Sequence, residues 1–135
     1  MPDPQKIQPR ATEVSTPYWQ GCAQNELRLQ FCELCSAYQF YPRIMCSSCG
    51  STDLRWRAVS GDGKIASYTI VRRGVSAAYD APYVVALVDL AEGPRMMSQI
   101  SMENVDDERL RVGAEVSAIY QPWSEETTVV LFELA

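Results

Sequence analysis

Four cysteines, set out as Cys32-x2-Cys35, ten intervening residues, then Cys46-x2-Cys49, are the residues of this chain best suited to chemistry. A Cys-x2-Cys turn aims two sulfurs inward and leaves backbone N–H groups free to bond them. Two such turns make a closed tetrahedral four-sulfur site, which suits Zn2+. The chain contains no histidine, so the ligand set is all-cysteine: Cys32, Cys35, Cys46 and Cys49. A closed site keeps no coordination position for water or substrate, so the metal it implies is structural and not hydrolytic. Iron, which also accepts a tetrahedral thiolate site, is the alternative ion. Disulfides and a redox-active pair fit the spacing less well. The start, Met1-Pro2-Asp3-Pro4-Gln5, shows neither the basic nor the apolar region of a signal peptide, so the chain is expected in the cytoplasm, where disulfides are rare. Cys22 stands apart and reads as a small buried residue on a helix face.

The missing histidine restricts chemistry further. Ser-His-Asp and Cys-His catalysis are closed to these residues, so a general base would have to be a carboxylate, a lysine, a tyrosine or a group on a partner. The net charge of −5, with Lys6 and Lys64 the two lysines, argues against sequence-independent binding of a phosphate backbone. No apolar run approaches the roughly 20 residues needed to cross a bilayer, so no membrane span is expected. At 135 residues the chain suits one domain, or a small module attached to one.

The elements that must position the cysteines read as mainly β. Residues 1–14 are polar and proline-rich, a flexible N-terminal arm. Residues 15–26 hold a short helix, with Ser15 or Thr16 as N-cap and Pro17 in the first turn. Tyr18, Trp19, Cys22 and Ala23 share one side of it. Residues 27–53 form a four-cysteine ribbon with strands at Leu27–Phe31 and Ala37–Tyr41, held by its metal in place of a core. Gly50 supplies the permissive backbone behind the second knuckle. Residues 54–135 alternate strands and turns: Leu54–Val59, Lys64–Arg73, Pro82–Leu90, Arg95–Ile100, Glu115–Tyr120 and Thr127–Leu134. Pro82–Leu90 is apolar on both faces and reads as a central, covered strand. The acidic stretch Met102–Arg111 connects the last two strands to the rest. The pattern suits a five-stranded Greek-key barrel of the OB-fold kind.

The order of these parts is more specific than any one of them. Pro17-Tyr18-Trp19 leads through Glu26-Leu27-Arg28-Leu29-Gln30 into the ribbon, whose linker carries Phe40-Tyr41-Pro42-Arg43 and whose end reads Cys49-Gly50-Ser51. Trp56, Val59-Ser60-Gly61-Asp62-Gly63-Lys64-Ile65, Ser67-Tyr68-Thr69-Ile70-Val71, Pro82–Val88 and Glu92–Ser98 follow. This resembles the DUF35 family of rubredoxin-like zinc ribbon plus OB-fold proteins, over about residues 15–135. It departs from many members at its end, Val129–Ala135, where they carry a Pro-x-Phe-type strand. The resemblance implies a non-catalytic accessory subunit of an acyl-CoA enzyme. Its partner would be a thiolase-like subunit in a hetero-oligomer such as α2β2, acting on C–C bonds of a CoA thioester and supplying the catalytic cysteine and histidines. It implies acyl-CoA or CoA as a ligand shared with that partner. A MaoC-type enoyl-CoA hydratase is the alternative partner. A stand-alone single-stranded nucleic-acid binder is the alternative from a different class, against which the acidic balance speaks.

Under this reading Arg43, Arg72 and Arg73 are candidates for CoA phosphates, because guanidinium forks match phosphate oxygens. For each, an ordinary solvated charge is the competing explanation. Tyr18, Trp19, Tyr38, Phe40 and Tyr41 are candidates for a partner-binding face, more aromatic surface than a small ribbon buries alone. For the helix pair, coverage of the chain's own core is the competing explanation. Met96 and Met97 are expected to fill core gaps, and Trp123 is expected in a turn at the surface.

Overall fold

The computed structural model describes residues 6–135. Helix α1 (Thr16–Ala23) precedes β1 (Arg28–Cys32), β2 (Tyr38–Gln39) and β3 (Leu54–Ala58). Then come β4 (Asp62–Val71), β5 (Tyr83–Leu90), β6 (Arg95–Ile100), β7 (Glu115–Pro122) and β8 (Thr128–Leu134). The first three strands make a sheet in the order β2-β1-β3, and the last five close into a barrel in the order β4-β5-β6-β8-β7. The mainly β fold expected from sequence, a short helix, a ribbon and a five-stranded OB-type barrel, is the fold observed.

Leu54–Ala58, expected to open the barrel, instead belongs to the ribbon. It pairs antiparallel with β1 along its length, from Cys32 opposite Leu54 to Arg28 opposite Ala58. The alternation of a strand says which residues share a face, not which neighbour they bond. The barrel begins after the turn at Ser60-Gly61, where Gly61 takes φ +80°.

Helix α1 ends because Asn25 turns left-handed (φ 57°) and the Glu26 N–H returns to the Gly21 carbonyl at 2.9 Å. This brings the chain close to itself: a Cβ on Gly21 would lie 2.7 Å from the Glu26 carbonyl oxygen. Tyr18, Gly21 and Cys22 form the buried side of the helix, while Ala23 is exposed. Ser15 sits at the N-cap without a capping side-chain bond to the helix; it closes a turn with Thr12 instead.

One apolar cluster runs through both sheets. Tyr18, Cys22, Leu27 and Leu29 join Ile65, Val84, Val88, Met96, Val116 and Phe132. The helix and β1 are thereby welded to the barrel wall. Along β5 only alternate residues are buried, so this strand is central but covered on one face and half-exposed on the other. Val105, Leu110 and Ala114, from the acidic connection before β7, are buried in the same core. Met96 fills the core as expected, but Met97 points outward at 59% exposure because adjacent strand residues face opposite sides. The arm expected over residues 1–14 lies outside the described residues up to Gln5. Beyond it, Ile7 donates its N–H to the Tyr79 hydroxyl at 3.1 Å, so this stretch rests on the barrel.

Candidate metal centre and its surroundings

Both knuckles fold by the same local rule. In the first, the Ser36 N–H bonds the Cys32 carbonyl at 2.8 Å and Ser36 takes φ 60°. In the second, the Gly50 N–H bonds the Cys46 carbonyl at 2.9 Å and Gly50 takes φ 78°. Each turn therefore curls around its pair of sulfurs. The four Sγ atoms lie within 4.8 Å of one another. Across the two knuckles, Cys32 faces Cys49 and Cys35 faces Cys46, each at 3.6 Å between sulfurs. A zinc tetrahedron with Zn–S bonds of about 2.3 Å has S···S edges of about 3.8 Å. The donor set thus fits a structural Zn2+ in chemistry and in spacing.

The electrostatics of the four thiols are uneven. Backbone N–H groups at Cys35 and Leu34 hold the Cys32 thiol below the ordinary thiol range despite burial. Those at Cys49 and Ser48 bring Cys46 down to about 6. Cys35 has the Ala37 N–H pulling it down, but the Cys46 sulfur, burial and the other thiols carry it up to about 12. Cys49 is raised as well: the Ser51 N–H opposes the shift, and burial with the facing sulfurs outweighs it. Each knuckle therefore pairs one thiol held below the ordinary range with one held above it, and a bound cation would favour the deprotonated form of both.

Two buried glutamines tie the second knuckle to the first. Gln30 and Gln39 face each other across β1 and β2 and are 5% and 6% exposed. Gln39 donates to Gln30 Oε1 at 2.8 Å and accepts the Ser47 N–H at 2.8 Å. Gln30 accepts the Arg43 N–H and donates to the Arg43 carbonyl, both at 2.8 Å. The loop that delivers Cys46 is therefore pinned at Arg43 and at Ser47. Sequence reading passed over this pair; its trace was a polar residue inside the apolar run Leu29-Gln30-Phe31.

The aromatic candidates form a ladder from helix to ribbon to barrel. Trp19 meets Tyr18 edge-on at 5.0 Å, Tyr18 meets Phe40 at 5.4 Å, and Phe40 meets Tyr41 at 4.3 Å between ring centres. The Tyr41 hydroxyl accepts the Met97 N–H at 3.3 Å. Tyr38 packs edge-on against Phe31. Tyr18, expected on a partner-binding face, is instead buried at 7% exposure, because the helix lays it between the ribbon and the barrel. Trp19, Tyr38 and Phe40 are half-buried and Tyr41 is exposed.

Several large apolar side chains are exposed in the ribbon and beside it. Leu34 and Ile44 are 73% and 71% exposed and Met45 is exposed beside Cys46, while Tyr41 and Met97, joined by the Met97 N–H to the Tyr41 hydroxyl, are exposed as well. Of these, Leu34, Ile44 and Met45 were not singled out from sequence; an apolar side chain beside a metal-ligating cysteine was the available signal, whereas Tyr41 was expected on a partner-binding face. Arg43 is exposed within this stretch. Arg72 stands 3.7 Å from Asp106, and Arg73 is exposed in the loop after β4. Two clefts of about 600 and 590 Å3 open beside β4 and β7, and none of the three arginines lines them.

The ChsH2 rubredoxin-like zinc ribbon domain matches residues 19–55, and the ChsH2 C-terminal OB-fold domain matches residues 56–121. A DUF35 domain-containing scaffold protein of Methanothermobacter thermautotrophicus is 36% identical over 97 residues, 70% of this chain and 71% of that protein. The chain belongs to the DUF35 family. A second DUF35 relative in structure is the protein described as "Ltp2-ChsH2(DUF35) aldolase". Its TM-score is 0.84 at 27% identity, over 94% of this chain and 98% of that one. The probable enoyl-CoA hydratase alpha subunit of Thermomonospora curvata is 28% identical over 134 residues, 98% of this chain. The present chain spans about two-fifths of that subunit's length, 41%. Among the described residues of this DUF35 chain, no helix is long and apolar enough to cross a membrane.

Proposed function

We propose that this DUF35 chain is a non-catalytic scaffold subunit that docks an acyl-CoA-transforming enzyme through the face of its metal-held ribbon. The observation that carries this reading is the exposure of Leu34, Ile44 and Met45, which directly precede Cys35 and Cys46 in the knuckles, together with that of Tyr41 and Met97, which meet through the Met97 N–H and the Tyr41 hydroxyl. A ribbon with little core of its own is an unfavourable place to leave such groups in water, unless another surface covers them. The closed four-sulfur site shapes that face and supplies no chemistry. The absence of histidine leaves acyl transfer and proton transfer to the partner.

The partner is a thiolase-like or aldolase-type subunit acting on a C–C bond of a CoA thioester. Support comes from the aldolase named in the structural relative of nearly equal length. An enoyl-CoA hydratase partner is the second reading, favoured by the Thermomonospora curvata hydratase subunit that aligns over nearly the whole chain. In either assembly Arg43 and Arg73 are assigned to the phosphates of a shared CoA, because neither forms an ion pair among the described residues. Arg72 would first have to leave Asp106.

The test is a double variant, Leu34→Asp with Ile44→Asp. Full burial of each side chain contributes about 1.5–3 kcal/mol, so the variant should weaken the complex at least about a hundredfold. Metal content and melting temperature should stay unchanged, since both residues are exposed. A partner bound equally well by the variant defeats the assignment of the face. A partner that retains full activity and solubility without the chain defeats the scaffold role itself.

A further inference from the structure

Two loops of the barrel meet in an arrangement that the docking reading does not use. The β4–β5 loop folds toward the β7–β8 turn, and Tyr79 meets Trp123 at 6.4 Å between ring centres. These loops join the first two and the last two barrel strands in chain order, the pair that OB-folds commonly use to hold ligands. The Trp123 indole is fixed by donating its N–H to Gln121 Oε1 at 2.9 Å. Beside it opens a cleft of about 510 Å3 lined by Lys6, Gln8, Ala78, Gln121 and Pro122.

That cleft is already engaged by the chain's own arm. The Lys6 ammonium stands 5.4 Å from the centre of the Trp123 ring. The Ile7 N–H donates to the Tyr79 hydroxyl at 3.1 Å. The Ile7 side chain is 82% exposed, so the contact reads the main chain and the cation and not the residue between. Further along, Arg10 and Glu126 line a neighbouring cleft together with Trp19. Lys6 and Arg10 of this stretch are opposite in charge to Glu125 and Glu126 of the turn. An aromatic face takes a cation and a hydroxyl accepts a backbone N–H, and Glu126 lines the neighbouring cleft. Phosphates of a nucleic acid would meet those same carboxylates with repulsion.

The geometry points to a binding site, between the β4–β5 loop and the β7–β8 turn, for an extended lysine- or arginine-bearing segment of a partner polypeptide. Residues Lys6–Arg10 fill it in cis as a displaceable strap. A strap that fills the cleft nine-tenths of the time makes an incoming segment bind about tenfold more weakly than it would to the open cleft.

The probe is a fluorescein-labelled synthetic peptide with the sequence of residues 1–14 of this chain. It is titrated by fluorescence anisotropy against the full chain and its Lys6→Glu variant, and against Lys6→Glu combined with Trp123→Leu. Lys6→Glu should bind the peptide about tenfold more tightly than the unmodified chain, and adding Trp123→Leu should abolish that binding. If Trp123→Leu lowers the melting temperature, Tyr79→Phe, which removes a single hydroxyl, replaces it with a several-fold loss expected. Equal affinity of the unmodified and Lys6→Glu chains overturns the strap. So does an absence of binding to Lys6→Glu, or binding that survives without Trp123 or the Tyr79 hydroxyl. Trp123-dependent binding of a labelled oligothymidylate in place of the peptide would identify a nucleic-acid site and overturn the proposal.

Discussion

Replacing Gln39 by methionine should loosen the metal while leaving the barrel intact. The side chains are nearly equal in volume, so the change removes hydrogen bonds rather than packing. Lost are one close pair of bonds, the acceptor for the Ser47 N–H at 2.8 Å and the donor to Gln30 Oε1 at 2.8 Å, and a longer donation to the Met45 carbonyl at 3.3 Å. Gln30 Oε1 keeps the Arg43 N–H, and Ser47 lies near solvent, so neither group is left wholly unsatisfied. Each net hydrogen bond contributes about 0.5–1.5 kcal/mol, giving about 2 kcal/mol for the pair. Because these bonds position the loop that carries Cys46, the loss falls on the metal-bound ribbon. At about 1.4 kcal/mol per factor of ten, zinc affinity should fall about thirtyfold. Competition with a chromophoric chelator at neutral pH measures this directly, with the melting temperature of the barrel as the control. Unchanged zinc affinity would refute the inference that the glutamine pair holds the second knuckle in place. A matching collapse of the barrel would refute the inference that its effect is local.

Other expectations follow from the same structure. Cys46→Ser should release the metal, and with it partner binding, while the barrel stays folded, as read by metal analysis and circular dichroism; survival of both metal and binding would remove the four-cysteine assignment. Gly21→Ala should destabilise the chain by about 1–3 kcal/mol in denaturant unfolding, because the added Cβ meets the Glu26 carbonyl at 2.7 Å, a backbone atom that cannot step aside. Burial pushes the Cys22 thiol up from 9.0 to about 11, so above pH 9 the unfolded chain gives up a proton that the folded chain keeps. Stability should therefore fall between pH 9 and about 11, by about 1 kcal/mol at pH 10. Cys22→Ala should flatten that stretch of the pH profile; an unchanged slope would show that another group governs it.

The legibility of this chain varied with the range of the forces involved. The cysteine spacing was readable because one tight turn per pair decides the geometry, and Gly50 marked the second turn. The barrel strands were readable because their apolar alternation reports a one-sided core, as along β5. Strand partners were not: Leu54–Ala58 looks like any half-buried strand, and only the free edge of β1 assigns it to the ribbon. Side-chain orientation across elements was equally hidden. Tyr18 and Met97 exchanged the surface and core roles expected of them because helix packing and strand register, not composition, decide which way each points. The Gln30–Gln39 pair required that register too, since nine residues separate the partners along the chain.

The scaffold role is decided by capturing the intact, zinc-loaded chain from extract of its native host beside the Leu34→Asp, Ile44→Asp variant and identifying the bound proteins by mass spectrometry. The proposal predicts a thiolase-like, aldolase-type or hydratase-type subunit at near-stoichiometric yield with the unmodified chain, and its loss with the variant. Recovery of no acyl-CoA enzyme, or equal recovery by both chains, would contradict it.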